Sequence, residues 1–227
     1  MLCPGGWGHL IFLKGDFILL KVIIFDFDGV IAESVQVKSD AFAELYKPYG
    51  QAIVKKVVEH HEANGGMSRF EKFKFYHESF LNKTISREEI SSLANQFSGL
   101  VVKKVIAAPY VPGAMEYIEK SFEKYKLFIS TGTPTEEMKQ ILEGRKIARY
   151  FTEVFGSPAK KTNHVSSILT NYNLDLDELL FYGDSNSDLE AAENLNIEFI
   201  LISNQYNKIL SAQYKGRTIN NFRGLLN

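Results

Sequence analysis

Residues 22–31 read VIIFDFDGVI, and they set two aspartates at the end of a run of apolar, β-branched residues. Such a run suits a strand buried on both faces. On an extended chain, residues two apart point to the same side, so Asp26 and Asp28 are expected to share a space. Two ionised carboxylates about 4 Å apart repel by roughly 4 kcal/mol at an effective dielectric of about 20. Whatever offsets that repulsion is the route to the chemistry.

Three further groups of chemistry-bearing residues follow. ISTGTP carries Thr131 and Gly132, SPAKKTNH carries Lys160 and Lys161, and YGDSNSD carries Asp184 and Asp188. Each falls at an expected strand end or helix start. Three or four carboxylates converging with one lysine would make a strongly anionic site, and a hard divalent cation with oxygen ligands is the natural remedy. Mg²⁺ binds through one or two carboxylates plus substrate phosphate. A lysine, a hydroxyl and amide donors at a helix N-terminus are left to hold an anion. Aspartate is also a covalent nucleophile toward phosphoryl groups. Asp26 would then attack phosphorus while Asp28 handles the protons of leaving group and water.

The elements that must position these groups are legible from periodicity. Apolar runs at 22–25, 127–130, 153–155, 179–182 and 199–202 alternate in the later half with helical patterns at 114–124, 136–142, 164–172 and 188–194. That alternation predicts an α/β fold, a Rossmann-like doubly wound parallel sheet with ligands beyond the carboxyl ends of the strands. Residues 34–108 break the pattern and read as successive helices at 35–46, 52–63, 69–81 and 87–106, a helical cap inserted after the first strand. Ser68 and Ser86 are expected N-caps, each with a glutamate three residues on. The catalytic core is then 21–33 together with 109–227, and 1–20 form an N-terminal extension, an extra strand or an arm. Asp175 to Glu178 read as a solvated turn.

Composition excludes other classes. The chain has 227 residues, 45% hydrophobic and 23% charged, with a net charge of −1 from 26 basic and 27 acidic residues. Nothing in that balance favours nucleic acid or an anionic membrane as partner. The single cysteine, Cys3, excludes an intrachain disulfide and suits a reducing, cytoplasmic setting. Lys14, Asp16 and Lys21 interrupt the apolar N-terminal stretch, which falls short of the ~20 residues of a spanning helix.

DFDGV, Thr131, Lys161 and GDSNSD, in this order, resemble the haloacid dehalogenase superfamily of phosphotransferases, in particular its helical-cap phosphatases and the β-phosphoglucomutase-like subgroup. The resemblance runs from Lys21 onward. It implies Mg²⁺ held by Asp26, the main-chain carbonyl of Asp28, and Asp184. It further implies that Thr131, Gly132 and Lys161 grip the phosphoryl group, with Asp188 supporting the metal or the lysine. Lys160 is the alternative to Lys161. The prototype dehalogenases lack the second aspartate, so Asp28 argues against C–halogen cleavage.

GGMSRFEKF, residues 65–73, is similar to the GxSR segment in the caps of β-phosphoglucomutases, where the arginine holds a non-reacting phosphate. By that similarity Arg69 reaches toward the substrate, a role suited to a planar guanidinium. Lys38 stands where those mutases carry a histidine, which favours hydrolysis over mutase activity. The resulting expectation is a Mg²⁺-dependent phosphomonoesterase acting through an aspartyl-phosphate on a small phosphorylated metabolite, a sugar phosphate or phosphoglycolate-like anion. A phosphomutase and a catalytically silent binding protein of the same fold are the rivals. Bland readings stand beside these roles: Thr131 as an N-cap, the lysines as a solvated pair, Asp188 as a helix-terminus charge, Arg69 as an ion pair of the cap. His60, His61 and His77 lack the spacing of a zinc site and read as packing or solvent-facing residues.

Overall fold

In the structure, a computed structural model, residues 9–13 and 16–226 are described. Strands β1 (His9–Leu13) and β2 (Asp16–Leu20) pair antiparallel as a hairpin ahead of the main sheet. The expected N-terminal extension is thus a pair of strands where it is described, and residues 1–8 lie outside the described residues.

The main sheet is built from β3 (Val22–Phe25), β4 (Lys126–Pro134), β5 (Glu153–Ser157), β6 (Leu179–Gly183), β7 (Glu198–Ile202) and β8 (Arg217–Ile219). They run parallel in the order β5-β4-β3-β6-β7-β8. All four residues of β3 are buried, as a central strand covered on both faces requires. Alternate residues go to opposite faces. Ile23, Phe25, Leu127, Ile129 and Tyr182 join one apolar cluster with α5 (Ala114–Phe122) and α6 (Thr135–Gly144). Val22, Ile24, Phe128 and Phe181 join a second with α7 (Lys161–Tyr172) and α8 (Asn186–Leu195). The sheet is doubly wound.

Strand order reverses between β3 and β6: β4 and β5 lie on one side of β3, and β6 to β8 on the other. A crevice opens outside the carboxyl ends of the strands at such a point. Asp26 follows β3 and Asp184 follows β6, so both stand at its mouth.

Between β3 and α5 the chain makes a helical excursion: α1 (Val35–Tyr46), α2 (Gln51–Ala63), α3 (Arg69–Phe75) and α4 (Arg87–Ala107). The two segments joining it to the sheet run side by side. Glu33 donates its amide to Pro109 O at 2.9 Å, and Val111 donates to Ile31 O at 3.0 Å. Phe42, Phe73, Tyr76 and Phe97 form its buried centre, with Phe42 and Phe97 centroids 4.5 Å apart. Ser86 caps α4 with a reciprocal Glu89 bond, whereas Ser68 accepts only from Phe70 N–H and makes no reciprocal bond with Glu71. The predicted helix over 69–81 ends early, passing into a π-helical turn at Tyr76–Phe80 that carries Tyr76 and His77 inward. The expected solvated turn at 175–178 is a capped 3₁₀ turn with Asp175, Leu176 and Asp177 exposed, whereas Glu178 is buried and pairs with Lys21. A short helix, α9 (Lys208–Gln213), follows β7. Among the described residues no helix is long and apolar enough to cross a membrane.

Candidate active site

The chain does not continue extended past Phe25. It turns over Phe27–Val30, where Gly29 adopts φ +80°. A Cβ on Gly29 would also meet the Asp184 carboxylate at 2.2 Å, so only glycine fits there. The turn gives the two aspartates different partners. Asp26 Oδ1 accepts the Phe27 amide at 2.7 Å, and its Oδ2 lies 2.9 Å from Lys161 Nζ. Asp28 has its own partners: Oδ1 accepts from Ser34 Oγ at 2.6 Å, and Oδ2 pairs with Lys38. Each carboxylate therefore has its own lysine; the two do share one space, lining the same cavity, but they reach it through a turn and not along an extended chain.

Lys161 opens α7 and is buried, while Lys160 is exposed just before it. The structure thus brings Lys161 to the carboxylates, bonded to Asp188 Oδ1 at 2.5 Å as well as to Asp26. A lysine at a helix N-terminus opposes the helix dipole, and the two carboxylates outweigh that here. Asp188 serves two purposes. Its Oδ2 accepts Ser185 N–H at 3.1 Å and Ser185 Oγ at 2.5 Å as the capping box of α8, while Oδ1 holds the lysine.

Asp184 is held from a side that the sequence reading missed. Asn204 Nδ2 donates to its Oδ2 at 2.8 Å, and Asn207 Nδ2 donates to its main-chain oxygen at 2.7 Å. The run SNQYN directly after β7 is the signal that could have revealed them. Thr131 is buried within β4, which continues through a register irregularity to Pro134 instead of ending at 130. Its Oγ1 accepts the Thr133 amide at 3.2 Å, leaving its hydroxyl proton available to an anion. Gly132 is where the excursion touches the sheet: a Cβ there would lie 2.9 Å from Gly66 O.

Arg69 lines the cavity and is already paired. Both of its terminal nitrogens pair with Glu137 of α6, and Nη1 also donates to Ser98 Oγ at 2.8 Å. Its guanidinium stacks 4.6 Å from the Phe97 ring centroid. The sequence expectation of an arginine reaching toward substrate meets a buried ion pair joining excursion to sheet.

The donor set fits a divalent cation. One oxygen from each of Asp26, Asp184 and Asp188 lies within 4.8 Å of the others, and all three residues are buried. Burial pushes the Asp26 carboxyl up to about 7, with Lys161 opposing and Asp188 and Asp28 adding. Burial, then Asp26 and Asp188, hold Asp184 well above the carboxylate range. A hard cation placed among these oxygens relieves that repulsion. Asp28 differs: burial raises its carboxyl, but Lys38 and the bonds from Lys38 and Ser34 outweigh burial and hold it below the usual value. Asp26, Asp28, Thr131, Gly132 and Asp184 line one cavity of about 360 Å³, roofed by residues of the helical excursion.

The family described as haloacid dehalogenase-like hydrolase matches residues 23–202. The "phosphorylated carbohydrates phosphatase" of Thermotoga maritima is 28% identical over 192 residues, covering 80% of this chain and 84% of its own. The phosphoglycolate phosphatase of Psychrobacter arcticus is 25% identical over 201 residues, covering 82% and 85%. Among solved structures, β-phosphoglucomutase from Clostridium difficile superposes with a TM-score of 0.73 at 19% identity, covering 91% of this chain and 93% of that one. CbbY from Rhodobacter sphaeroides, in complex with phosphate, gives 0.71 at 16% identity, covering 91% and 96%. These two structural likenesses support the fold.

Proposed function

The chain belongs to the haloacid dehalogenase-like hydrolases, and from that premise we propose that it is a Mg²⁺-dependent phosphomonoesterase acting on a small phosphorylated metabolite. The observation that carries this reading is the buried convergence of Asp26, Asp184 and Asp188 at the sheet's reversal point, with Lys161 bridging two of them. The names of the similar phosphatases from T. maritima and P. arcticus support the same substrate class.

Mg²⁺ would be held by Asp26, the main-chain carbonyl of Asp28, and Asp184, where it would supply positive charge against the phosphoryl oxygens. The remaining work falls to the chain's own residues. Asp26, fixed by the Phe27 amide and Lys161, attacks phosphorus, and the bond to the ester oxygen breaks. Thr131, Gly132 and Lys161 hold the transferring oxygens in line. The leaving oxygen takes its proton from the Asp28–Lys38 pair. Asp28, ionised in the resting site, then deprotonates a water that attacks the aspartyl-phosphate, releasing phosphate and restoring Asp26. Asp188 aims Lys161 and adds its charge to the cluster that would draw the cation in.

The test is phosphate release from a panel of phosphate monoesters with Mg²⁺ and with EDTA. Mg²⁺-dependent release that disappears in Asp26→Asn supports the reading. Release that survives EDTA or the substitution contradicts it.

A further inference from the structure

The segment after β7 does more than touch Asp184. Asn204 donates through Nδ2 to Asp184 Oδ2 at 2.8 Å, and its own Oδ1 accepts the Tyr206 amide at 2.9 Å. Those two bonds fix which end of the side chain faces the carboxylate, since a flipped amide would set oxygen against oxygen and N–H against N–H. Asn207 is pinned in the same way. Its Nδ2 donates to Asp184 O at 2.7 Å and to Ile202 O at 2.8 Å, while its Oδ1 accepts the Asn204 amide and the Ser211 hydroxyl, each at 2.9 Å. The side chain thereby stitches the end of β6 to the end of β7. Gly29 closes the arrangement. A Cβ there would lie 3.2 Å from Asn204 Nδ2, so the asparagine also packs on the turn that carries Asp28.

Tyr206 carries the same network across to the helical excursion. Its hydroxyl donates to Gln36 Oε1 at 3.0 Å, and Gln36 Nε2 donates to Asp40 Oδ1 at 2.8 Å, so the glutamine of α1 is oriented at both ends. Lys38, two residues further along α1, pairs with Asp28 and Thr133. Residues two apart on a helix point to different sides, so the turn after β3 and the segment after β7 hold the start of α1 separately. A continuous chain of contacts runs from α1 through Gln36, Tyr206 and Asn204 to Asp184. We propose that Asn204 and Tyr206 are positioning residues for the cation: Asn204 presets the Asp184 carboxylate, and Tyr206 holds that setting from α1, so that the seating of the excursion governs cation affinity before substrate arrives. The proposal rests on the reading of Asp184 as a cation ligand. An unbraced carboxylate must be ordered when the cation binds, whereas a braced one has been ordered by folding. The coupling is reciprocal, so the cation also favours the seated α1.

The test uses the full chain without substrate and reads Mg²⁺ affinity from the rise in unfolding stability as Mg²⁺ is added. Asn204→Ala is expected to weaken Mg²⁺ binding about 10- to 100-fold, the usual effect of losing a partner that orients a metal ligand. Tyr206→Phe removes one hydroxyl and keeps the ring, and Gln36→Leu changes α1 outside the cavity lining. Each is expected to weaken binding about two- to tenfold, the scale of one hydrogen bond. The Tyr206→Phe, Gln36→Leu double variant should be no worse than either alone, because the two share one bond. Hydrogen exchange in α1 should slow when Mg²⁺ is added to the wild type, and far less so in Tyr206→Phe. If Asn204→Ala fails to fold, the other two variants decide the matter. Variants that lose stability equally with and without Mg²⁺ have unaltered affinity; that result assigns the network to folding and overturns the proposal. Additive losses in the double variant overturn it as well. If Mg²⁺ leaves the wild type no more stable, the cation reading itself fails, and the proposal with it.

Discussion

Lys38 Nζ is bonded to Asp28 Oδ2 and, at 2.7 Å, to Thr133 Oγ1, so the second aspartate of DFDG is held by a lysine ten residues on. One side chain thereby ties the turn after β3, the first helix of the excursion and the end of β4. If the leaving oxygen takes its proton through this pair, Lys38→Met should cost most where the leaving group needs a proton. Turnover of alkyl phosphates should fall about 100-fold, the low end of general-acid contributions. Turnover of p-nitrophenyl phosphate, whose leaving group departs without a proton, should fall far less. Equal losses on both would assign Lys38 to folding or binding instead.

The Arg69–Glu137 pair, with side chains 4% and 8% exposed, predicts a different pattern. Removing one partner of a buried pair costs about 3–5 kcal/mol. Arg69→Ala and Glu137→Ala should therefore each lower unfolding stability by about that amount, and the double variant should be little worse than either. Both should change kcat/KM alike. An activity loss confined to Arg69→Ala would restore the substrate-gripping role that its sequence context suggests.

Gly132 and Gly66 make the close approach between sheet and excursion. A Cβ on Gly132 would lie 2.9 Å from a main-chain oxygen that cannot rotate away. Gly132→Ala should hold the roof off the cavity and lower kcat/KM about 100-fold, the cost of roughly 1 Å of misplacement. Unchanged kinetics would show that roof contact does not align the site.

His164 sits behind the phosphoryl site, with Nδ1 2.9 Å from Ser130 Oγ and Nε2 3.2 Å from Gly156 O. Burial, with Lys161 adding, pushes it down from 6.5 to about 4. The unfolded chain thus binds the proton first as pH falls. The neutral ring's contribution is complete above 6.5 and is lost as pH drops through about 4, amounting to about 3 kcal/mol. Denaturant titrations from about pH 7 down to about pH 4 should show a steeper loss for wild type than for His164→Gln. Parallel curves would refute the assignment.

The residues of the site differ in how far their sequence context gives them away. Asp26, Lys161, Asp184 and Asp188 stand at strand ends or helix starts, and the periodicity that reveals those elements places them. Val22–Phe25 is legible because all four side chains are apolar and buried. Arg217–Ile219 is not, because three largely exposed residues on a sheet edge carry no period. Lys38 belongs to the site through the reach of its side chain from α1, which spacing along the chain does not encode. The ion pair of Arg69 is illegible for the related reason that its partner, Glu137, lies 68 residues on. Asp26 and Asp28 reach one cavity through the left-handed turn at Gly29 and not along an extended chain, which the rule for extended chains does not anticipate.

The central claim is that Asp26 carries the phosphoryl group. Rapid acid quench of the protein during turnover of a ³²P-labelled ester, followed by peptide mapping, tests it directly. The account predicts a Mg²⁺-dependent, base-labile label on the peptide containing Asp26, and none in Asp26→Asn. Label on another residue, or turnover by the wild type with no labelled protein at any quench time, would contradict it.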